Sequence, residues 1–281
     1  MENKLKNPMP PPWLMYPHIR MYSIGWRMGS GEEYKFQFWD WYAALSIEEQ
    51  AAYQAMFPAP ATWPGAYSQD EDANFDDYFY KGIQLWEKHG AWRYSREWLI
   101  ARQDNGDALD YVFFWKPGTA PRDCLGQWQP SVFKECHMKY NCAEQYMMAK
   151  KAQVFEDKEM EESIMEATSP KTMKALGQKV RNFDDSTWNK LKYSIVLNGN
   201  YHKFAQNKEM RDFLLSTGDK ILVEASPFDK IWGIGLDESS EMATAPKNWR
   251  GLNLLGFALM EVRDDIRRVY QNFDFCQNQQ P

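Results

Sequence analysis

The alternation of hydrophobic and polar positions predicts that helices dominate the second half of the chain. Residues 140–152 contain neither Gly nor Pro and consist mostly of good helix formers, with Asn141 placed as an N-cap. In several later segments, apolar residues recur at the spacing of a helix face. These segments are residues 156–167, 171–180, 184–198, 209–216 and the run that ends at Asp265.

Two short apolar segments predict the strands of a small sheet. Residues 111–115 are YVFFW, and residues 220–224 are KILVE. Runs rich in Val, Ile and aromatic residues are typical of buried strands. We therefore expect an α+β fold that is predominantly helical, with about seven helices packed around a small sheet.

The first 110 residues follow a different pattern, in which prolines and aromatic residues interrupt short segments. Ser46 and Glu49 form a capping-box sequence, which predicts a helix that ends near Met56. Three further elements are predicted here: an extended arm at residues 1–15, a tight loop that buries Trp26 at residues 21–34, and a helix at residues 78–88. The glycines of the loop leave a ligand-binding role open as an alternative.

The pair Asn105-Gly106 predicts a β-hairpin. Asn-Gly between apolar runs is a strong hairpin signal, because both residues adopt positive φ easily. The flanking strands are expected at residues 97–102 and 109–115.

Composition excludes several classes of protein. The 281 residues are 44% hydrophobic, enough for a substantial core, and no apolar run is long enough to span a membrane. The beginning of the sequence contains no apolar signal segment, so we expect a cytoplasmic protein with free thiols. The four cysteines and four histidines show no metal-binding spacing, and we expect neither a metal nor a cofactor.

The negative charge is concentrated in the first 110 residues, which contain ten Lys and Arg against sixteen Asp and Glu. This distribution argues against a protein that grips long nucleic acid through its phosphates. The same region contains eight of the thirteen tryptophans. They form either the core of a small accessory region or a platform on which bases stack.

Glu144 and Lys151 are the candidate chemical groups of the predicted helix at residues 140–152. Seven residues apart, they share one helix face and lie about 10 Å apart along its axis. Met147 and Met148 add apolar surface beside them. A carboxylate and an amine on such a face can perform proton transfer or covalent chemistry. The alternative is an exposed pair without a role.

The order of short motifs after residue 110 is more specific than any one motif. The motifs are YVFFW (111–115), LGQWQPSVF (125–133), AEQYMMAKKA (143–152), SPKTMKALGQKV (169–180), LVEASPFDKIWGIGL (222–236) and NWRGLNLLGFALMEVR (248–263). In this order they resemble the NADAR (NAD- and ADP-ribose-associated) or YbiA-like domain family over about residues 111–270. The resemblance implies a catalytic domain at residues 111–281 and an acidic, aromatic-rich accessory region at residues 1–110.

The resemblance also implies an activity, because the family consists of N-glycosidases. Such a hydrolase cleaves the bond between a ribose anomeric carbon and an amine nitrogen. One implied substrate is ADP-ribose on the exocyclic amine of guanine in nucleic acid, which gives a repair or antitoxin role. Another is the phosphorylated ribosylamino-pyrimidine intermediates of riboflavin synthesis. A third hypothesis is a module that binds ADP-ribose or another NAD derivative without turnover.

The motifs assign candidate site residues position by position. The implied catalytic residues are Glu144, Lys151 and Asp229, and the implied substrate-binding residues are Gln127, Trp128, Tyr146, Lys174, Trp232, Gly233, Gly235, Asn253 and Gly256. One position departs from the family, since Gly126 stands where many members carry serine. Any hydrogen bond from that serine side chain would be absent here.

Each implied role has a chemical reason. Cleaving a C–N glycosidic bond requires a proton for the leaving amine and stabilisation of positive charge at the anomeric carbon. Glu144 is expected to act as general acid or base, with its pKa raised by apolar surroundings. Lys151 has two open roles: a Schiff base with the ring-opened sugar, or a partner for a phosphate or carboxylate.

The remaining side chains are expected to bind the substrate. Asp229 would hold ribose hydroxyls, and Trp232 would stack on the base or ribose unless it belongs to the core. Lys174 and the N–H groups at the start of the helix at residues 171–180 would hold a pyrophosphate. The expected partners are a nucleotide or nucleic acid that carries ADP-ribose, and a cognate toxin or other protein that binds residues 1–110. No membrane partner is expected.

Overall fold

The described part of the chain divides into two compact units. A computed structural model describes residues 5, 8–16, 19, 21, 24–28, 30–57, 59, 63, 66–67, 93–135 and 138–271. The first unit contains the described residues up to 67, together with residues 134, 135, 138 and 264–271, and the second contains residues 93–133 and 139–263. In these ranges, no helix is both long and apolar enough to cross a membrane.

The first unit is built around aromatic side chains. Its helices are α1 (Pro12–Met15), α2 (Ser30–Ala43) and α3 (Ile47–Met56). Phe38 and Tyr53 are almost completely buried between them, and Trp13, Trp26 and Trp63 are buried as well. The ring centroid of Trp63 lies 5.3 Å from that of Trp13 and 5.5 Å from that of Trp26. These three tryptophans therefore belong to a hydrophobic core, which agrees with the first of the two predicted roles, a core rather than a platform for stacking bases.

The capping box predicted for α3 is confirmed. Ser46 Oγ accepts a hydrogen bond from Glu49 N at 3.2 Å, and Glu49 Oε2 accepts one from Ser46 N at 2.9 Å. The helix ends at Met56, as expected. The reciprocal bonds satisfy two N–H groups that a helix start leaves without partners.

Two predictions for the first unit are wrong in part. The expected extended arm becomes helical at Pro12–Met15, because Pro12 occupies the first helical position and Trp13 and Leu14 are buried. The predicted loop at residues 21–34 does bury Trp26, but α2 already begins at Ser30. The helix predicted at residues 78–88 lies outside the described residues.

Helices and two short strand pairs make up the rest of the described chain, and the fold is α+β and predominantly helical, as predicted. The helices are α4 (Arg96–Asp104), α5 (Ala143–Val154), α6 (Lys158–Glu166), α7 (Pro170–Gly177), α8 (Asp185–Gln206), α9 (Lys208–Ser216) and α10 (Leu254–Gln271). The strands are β1 (Tyr111–Phe114), β2 (Phe133–Glu135), β3 (Met138–Tyr140) and β4 (Ile221–Glu224). β2 pairs with β3, and α8 extends further than the pattern predicted.

The predicted hairpin around Asn105-Gly106 is wrong in its first strand, which is helix α4. Ser95 caps this helix by accepting a hydrogen bond from Trp98 N at 3.1 Å. Gly106 has a φ of +81° and ends the helix in the left-handed conformation. Asn-Gly supplies positive φ to a hairpin and to a helix end alike, so the dipeptide alone does not separate the two.

The predicted small sheet at residues 111–115 and 220–224 is confirmed. β1 and β4 lie parallel, with Phe114 opposite Glu224. Ala225 N continues the pairing by donating to Phe114 O at 2.8 Å. The carboxyl ends of both strands therefore meet at one edge, from which two loops continue.

Helix α5 is the centre of the second unit and packs against α6, α7 and α8. Ten of its twelve residues are buried, so it has no polar face towards solvent. It starts one residue later than predicted, because Cys142 rather than Asn141 is the N-cap residue. Asn141 N instead donates to Gln145 Oε1 at 2.8 Å.

Glycines allow the neighbouring helices to approach α5 closely. A Cβ atom at Gly199 of α8 would lie 2.5 Å from Tyr146 Cδ1, and one at Gly177 of α7 would lie 2.0 Å from Met148 Sδ. Both distances are shorter than side chains tolerate, so a larger residue must displace α5 or its side chains.

We predict that Gly199→Ala lowers the free energy of unfolding by about 1–3 kcal/mol, because overpacking against Tyr146 outweighs the better helix propensity of alanine. Urea denaturation of the purified protein measures the difference. Gly126→Ala is the control, because a Cβ there would meet ordinary contact distances of 3.4 Å. Equal stability of Gly199→Ala and the wild type would contradict the close approach of α8 and α5.

Candidate active site

A cavity of about 730 Å³ lies within the second unit, between a helical wall and the loops that follow β1 and β4. Its volume falls within the usual range of small-molecule sites. The carboxyl edge of parallel strands is also the usual position of ligands in open α/β sheets. Its lining includes Glu144, Met147, Met148 and Lys151 of α5, Lys174 and Gly177 of α7, Trp188 of α8, and Trp115, Lys116, Gln127, Trp128, Glu224, Ser226, Phe228, Asp229, Ile231 and Trp232.

Glu144 lies in the wall of this cavity with its side chain almost completely buried. The ring N–H of Trp128 donates to its carboxyl group. Its other oxygen, Oε1, has no hydrogen-bond partner among the described residues. Burial raises the pKa of Glu144 to about 7; the charge of Lys174 and the Trp128 hydrogen bond oppose that rise, and Asp229 adds to it.

Glu224, the last residue of β4, places a second carboxyl at the cavity and is partly buried, and the motif comparison did not select it. Its Oε2 is shielded from water and has no hydrogen-bond partner in the described ranges. Burial raises the pKa of Glu224 to about 8, with further increases from the charges of Asp229 and Glu144 and an opposing effect of Lys174. Two carboxyl groups that titrate near neutral pH therefore line one cavity.

Lys151 lines the same cavity from the next turns of α5. Its Nζ donates to Gly177 O at 2.9 Å and lies 4.1 Å from the ring centroid of Phe183 and 5.6 Å from that of Trp188. Partial burial lowers the pKa of Lys151, and Asp185 opposes this shift. Because both side chains line one cavity, Glu144 and Lys151 are not an exposed surface pair.

Asp229 folds the loop that carries Trp232. Its Oδ1 accepts hydrogen bonds from Ile231 N at 2.9 Å and Trp232 N at 2.7 Å. Both Asp229 and Trp232 line the cavity, and Trp232 is only half-buried. One carboxylate oxygen of Asp229 is thus engaged in the turn, and its charge raises the pKa of both glutamates.

Gln127, Trp128 and Lys174 also line the cavity, as the motifs implied. Gln127 Oε1 accepts from Asn200 Nδ2 at 3.0 Å, which leaves its Nε2 without a partner among the described residues. The Nζ of Lys174 lies 6.0 Å from the ring centroid of Trp128. An amide donor and a cation are therefore available to a ligand beside Glu144.

Four candidate residues lie outside the cavity lining and instead support the loop. Asn253, with a φ of +55°, donates through Nδ2 to Leu222 O at 2.9 Å and accepts through Oδ1 from Glu224 N at 3.0 Å. The glycines Gly233, Gly235 and Gly256 permit close backbone contacts of this loop and of the start of α10. The structure gives these four residues a scaffold role outside the cavity lining, and their expected contact with substrate stays a prediction.

Tyr146 is a core residue that lies outside the cavity lining, and its expected role in substrate binding stays a prediction. Its side chain is buried against Phe133 and Tyr140, and its hydroxyl accepts from Asn198 Nδ2 at 2.6 Å. Tyr146 is absent from the cavity lining because α5 turns it towards α8. Spacing along a buried helix identifies a face but not which neighbour covers that face.

The start of α7, where a pyrophosphate cradle was expected, lies outside the cavity lining. Pro170 has no N–H group, and Thr172 N already donates to Ser169 Oγ at 3.1 Å. The cavity is lined by the other end of this helix, through Lys174 and Gly177. That end presents carbonyl groups, which attract cations such as Lys151 rather than phosphates.

The departure at Gly126 removes a donor that the backbone does not replace. Gly126 N donates to Asp123 O at 3.1 Å, and Gly126 O accepts from Lys203 Nζ at 2.9 Å. Both backbone groups are therefore engaged within the fold.

Sequence reasoning missed several cavity residues: Trp115, Lys116, Trp188, Glu224 and Phe228. A signal existed for Glu224, which ends a predicted strand in the middle of a recognised motif, where ligand groups are common. In the described part of the chain, no cluster of three or more His, Cys, Asp or Glu is arranged to hold a metal ion.

Comparison with known proteins gives the family. The NADAR domain model matches residues 113–267. N-glycosidase R617 of Acanthamoeba polyphaga mimivirus is 44% identical over 162 residues, which cover 55% of this chain and 95% of that protein. Protein irg-1 of Caenorhabditis elegans is 39% identical over an alignment that covers 47% of this chain and 64% of that protein. N-glycosidase Npun_R5314 of Nostoc punctiforme is 30% identical over an alignment that covers 56% of this chain and 94% of that protein. The chain belongs to the NADAR domain family.

We predict that Glu224→Gln makes stability less dependent on pH. The unfolded carboxyl ionises near its ordinary pKa of 4.5, whereas the folded one ionises near 8, so the wild type loses stability as pH rises between these values. The stability of the variant relative to wild type should rise by on the order of 2–4 kcal/mol from about pH 5 to about pH 8.

Denaturant unfolding at the two pH values measures this difference. Glu162→Gln, at an exposed position of α6, is the control and should show no such rise. A constant difference between Glu224→Gln and wild type would show that Glu224 ionises normally in the folded protein.

Proposed function

We propose that the protein hydrolyses the bond between ribose C1 of ADP-ribose and the exocyclic amine of guanine in nucleic acid, in a repair or antitoxin role. The enzyme class does not depend on this choice of substrate. The chain is a hydrolase that acts on N-glycosyl bonds, the activity for which several of its relatives are named. The observation that carries the proposal is the buried carboxyl of Glu144, with Oε1 unpartnered among the described residues, in a cavity that Lys151 also lines.

The cavity lining supports a phosphorylated sugar joined to flat rings. Lys116, Lys151 and Lys174 contribute positive charge for phosphate groups. Trp128 and Trp232 contribute flat apolar surface for a base or a ribose face. ADP-ribose on guanine contains both kinds of group on either side of the bond that is cleaved.

In a hydrolytic route, Glu144 and Glu224 divide the proton transfers between them. The protonated carboxyl of Glu224 or Glu144 donates its proton to the leaving guanine nitrogen as the C1–N bond breaks. The other, ionised carboxylate takes a proton from the water that attacks C1. ADP-ribose leaves with a hydroxyl group at C1. One glutamate has lost a proton and the other has gained one, so the two carboxyl groups together carry the same number of protons as before.

In a covalent route, Lys151 attacks C1 of the ring-opened imine form of the substrate. The guanine amine leaves with a proton from Glu144, and the sugar stays attached to Nζ as a Schiff base. Water then hydrolyses this imine, which releases ADP-ribose and regenerates the amine. The lowered pKa of Lys151 favours the neutral amine that this route requires.

The candidate catalytic residues all lie within the family match at residues 113–267. Accordingly, we propose that residues 111–281 contain the catalytic domain and that residues 1–110 serve as an accessory region. A cognate toxin or other protein partner is the proposed ligand of that region, since its charge is strongly acidic.

We predict that the wild type releases ADP-ribose from a guanine-ADP-ribosylated oligonucleotide and that Glu144→Gln lowers kcat by about 10²–10⁴-fold, because the amide can no longer exchange a proton. Chromatography of the released ADP-ribose measures both rates, and Glu162→Gln should match wild type. Cleavage of a ribosylamino-pyrimidine phosphate with the oligonucleotide untouched would contradict the proposed substrate. Full activity of Glu144→Gln would contradict the proposed role of that carboxyl.

We predict that borohydride added during turnover traps the sugar on Lys151 if the covalent route operates, because reduction converts the imine into a stable amine. Tandem mass spectrometry of the peptide that contains Lys150 and Lys151 assigns the modified nitrogen. Lys151→Arg should abolish the adduct while the protein remains folded. Continued turnover without any adduct would leave the hydrolytic route as the mechanism.

A further inference from the structure

Two aromatic side chains form a pair at the cavity on the strand-end side. Trp115 follows β1 directly, and Phe228 lies in the loop that follows β4. Their ring centroids are 5.9 Å apart, and the ring planes meet at 49°. Both residues line the cavity that contains Glu144. We call them the Trp115–Phe228 pair.

Phe228 is unusually exposed for a phenylalanine, with 86% of its surface accessible. A single exposed apolar residue on a protein surface is ordinary and needs no explanation. Phe228 differs because it stands beside a second aromatic ring and lines a cavity that contains ionisable groups. The tilt between the two rings leaves ring surface uncovered for a third flat group.

A cation accompanies the pair. Nζ of Lys116 lies 4.2 Å from the ring centroid of Trp115, and Lys116 also lines the cavity. The combination of stacking rings and an adjacent cation is the arrangement with which proteins hold the bases and phosphates of single-stranded nucleic acid.

We propose that the Trp115–Phe228 pair stacks on one nucleobase adjacent to the modified guanine of a single-stranded nucleic acid, with Lys116 beside the intervening phosphate. This inference rests on the proposed function and adds a subsite to it. Trp128 and Trp232 lie with Glu144 and Asp229, so they are available to the scissile nucleoside itself.

The charge of the chain limits the length of this contact. With a net charge of −6, the protein has no overall positive charge with which to attract a long phosphate backbone. One stacked base and one phosphate require only the local cation of Lys116. The subsite therefore fits a single neighbouring nucleotide rather than an extended strand.

Phe228 variants test the subsite, because this exposed side chain can be replaced without opening the core. The substrates are a guanine-ADP-ribosylated mononucleotide, the same nucleotide within a trinucleotide, and that trinucleotide with abasic flanking positions. For the wild type, we expect a KM for the trinucleotide about 5-fold or more below those of the other two. Phe228→Ala should remove this difference by raising the trinucleotide KM about 5-fold or more, to that of the mononucleotide.

Two further variants distinguish aromatic stacking on the base from a nonspecific apolar contact with it. Phe228→Trp should retain the trinucleotide preference, whereas Phe228→Leu should lose it, because leucine has no ring. Met242→Ala is the control, since Met242 is an exposed apolar residue outside the cavity lining. An unchanged trinucleotide preference in Phe228→Ala, or full retention in Phe228→Leu, would overturn the proposal.

A binding measurement separates this inference from the proposed activity. Fluorescence anisotropy of an unmodified, labelled trinucleotide needs no turnover, so it reports on the subsite even if none of the three substrates is cleaved. We expect Phe228→Ala to weaken this binding about 5-fold or more and Phe228→Trp to preserve it. Equal binding by Phe228→Ala and wild type, or tighter capture of an abasic trinucleotide, would reject a base-stacking subsite.

Discussion

The side-chain amide of Asn253 holds together the part of the structure on which the site depends. β4 uses one edge to pair with β1, and Asn253 occupies the other edge through its bonds to Leu222 O and Glu224 N. Its own backbone N donates to Gly233 O at 3.1 Å. One residue thereby fixes the end of β4, where Glu224 lies, to the loop that carries Trp232.

Asn253 is suited to this position for three reasons that few side chains combine. Its φ of +55° is a conformation that asparagine tolerates better than most other residues. Its amide donates and accepts at once, which a carboxylate cannot do. Glycine would tolerate the torsion but would leave Leu222 O and Glu224 N of the strand edge without these bonds. The scaffold thus needs this residue although it does not face the cavity.

The reactive groups acquire their properties from burial rather than from close ion pairs. Desolvation is the largest cause of the raised pKa values of Glu144 and Glu224 and of the lowered pKa of Lys151. Each shift favours the neutral form, so the folded protein tolerates these groups by reducing their charge. The same neutral forms are a carboxylic acid that can donate a proton and an amine that can attack carbon.

The sequence predicted the local features well, because each depends on neighbouring residues. The capping box at Ser46 and the shared face of Glu144 and Lys151 follow from helix geometry alone. Several of the misses depend on contacts distant in the chain. Glu224 became a site residue because the fold shields its carboxyl from water, and Tyr146 became a core residue because α8 covers it. The helix at residues 96–104 is an exception, because the Ser95 cap that starts it is a local feature.

The contact between Met148 and Gly177 has a chemical consequence for the cavity. The thioether of Met148 lines the cavity beside a glycine whose place admits no additional carbon. Oxidation to the sulfoxide would add a polar oxygen to this sulfur at the contact between α5 and α7. Lys151 bridges the same two helices, because it donates to Gly177 O. Peroxide damage at this sulfur would therefore place a polar group in the cavity wall beside the amine, and a reductase for methionine sulfoxide would restore the apolar surface.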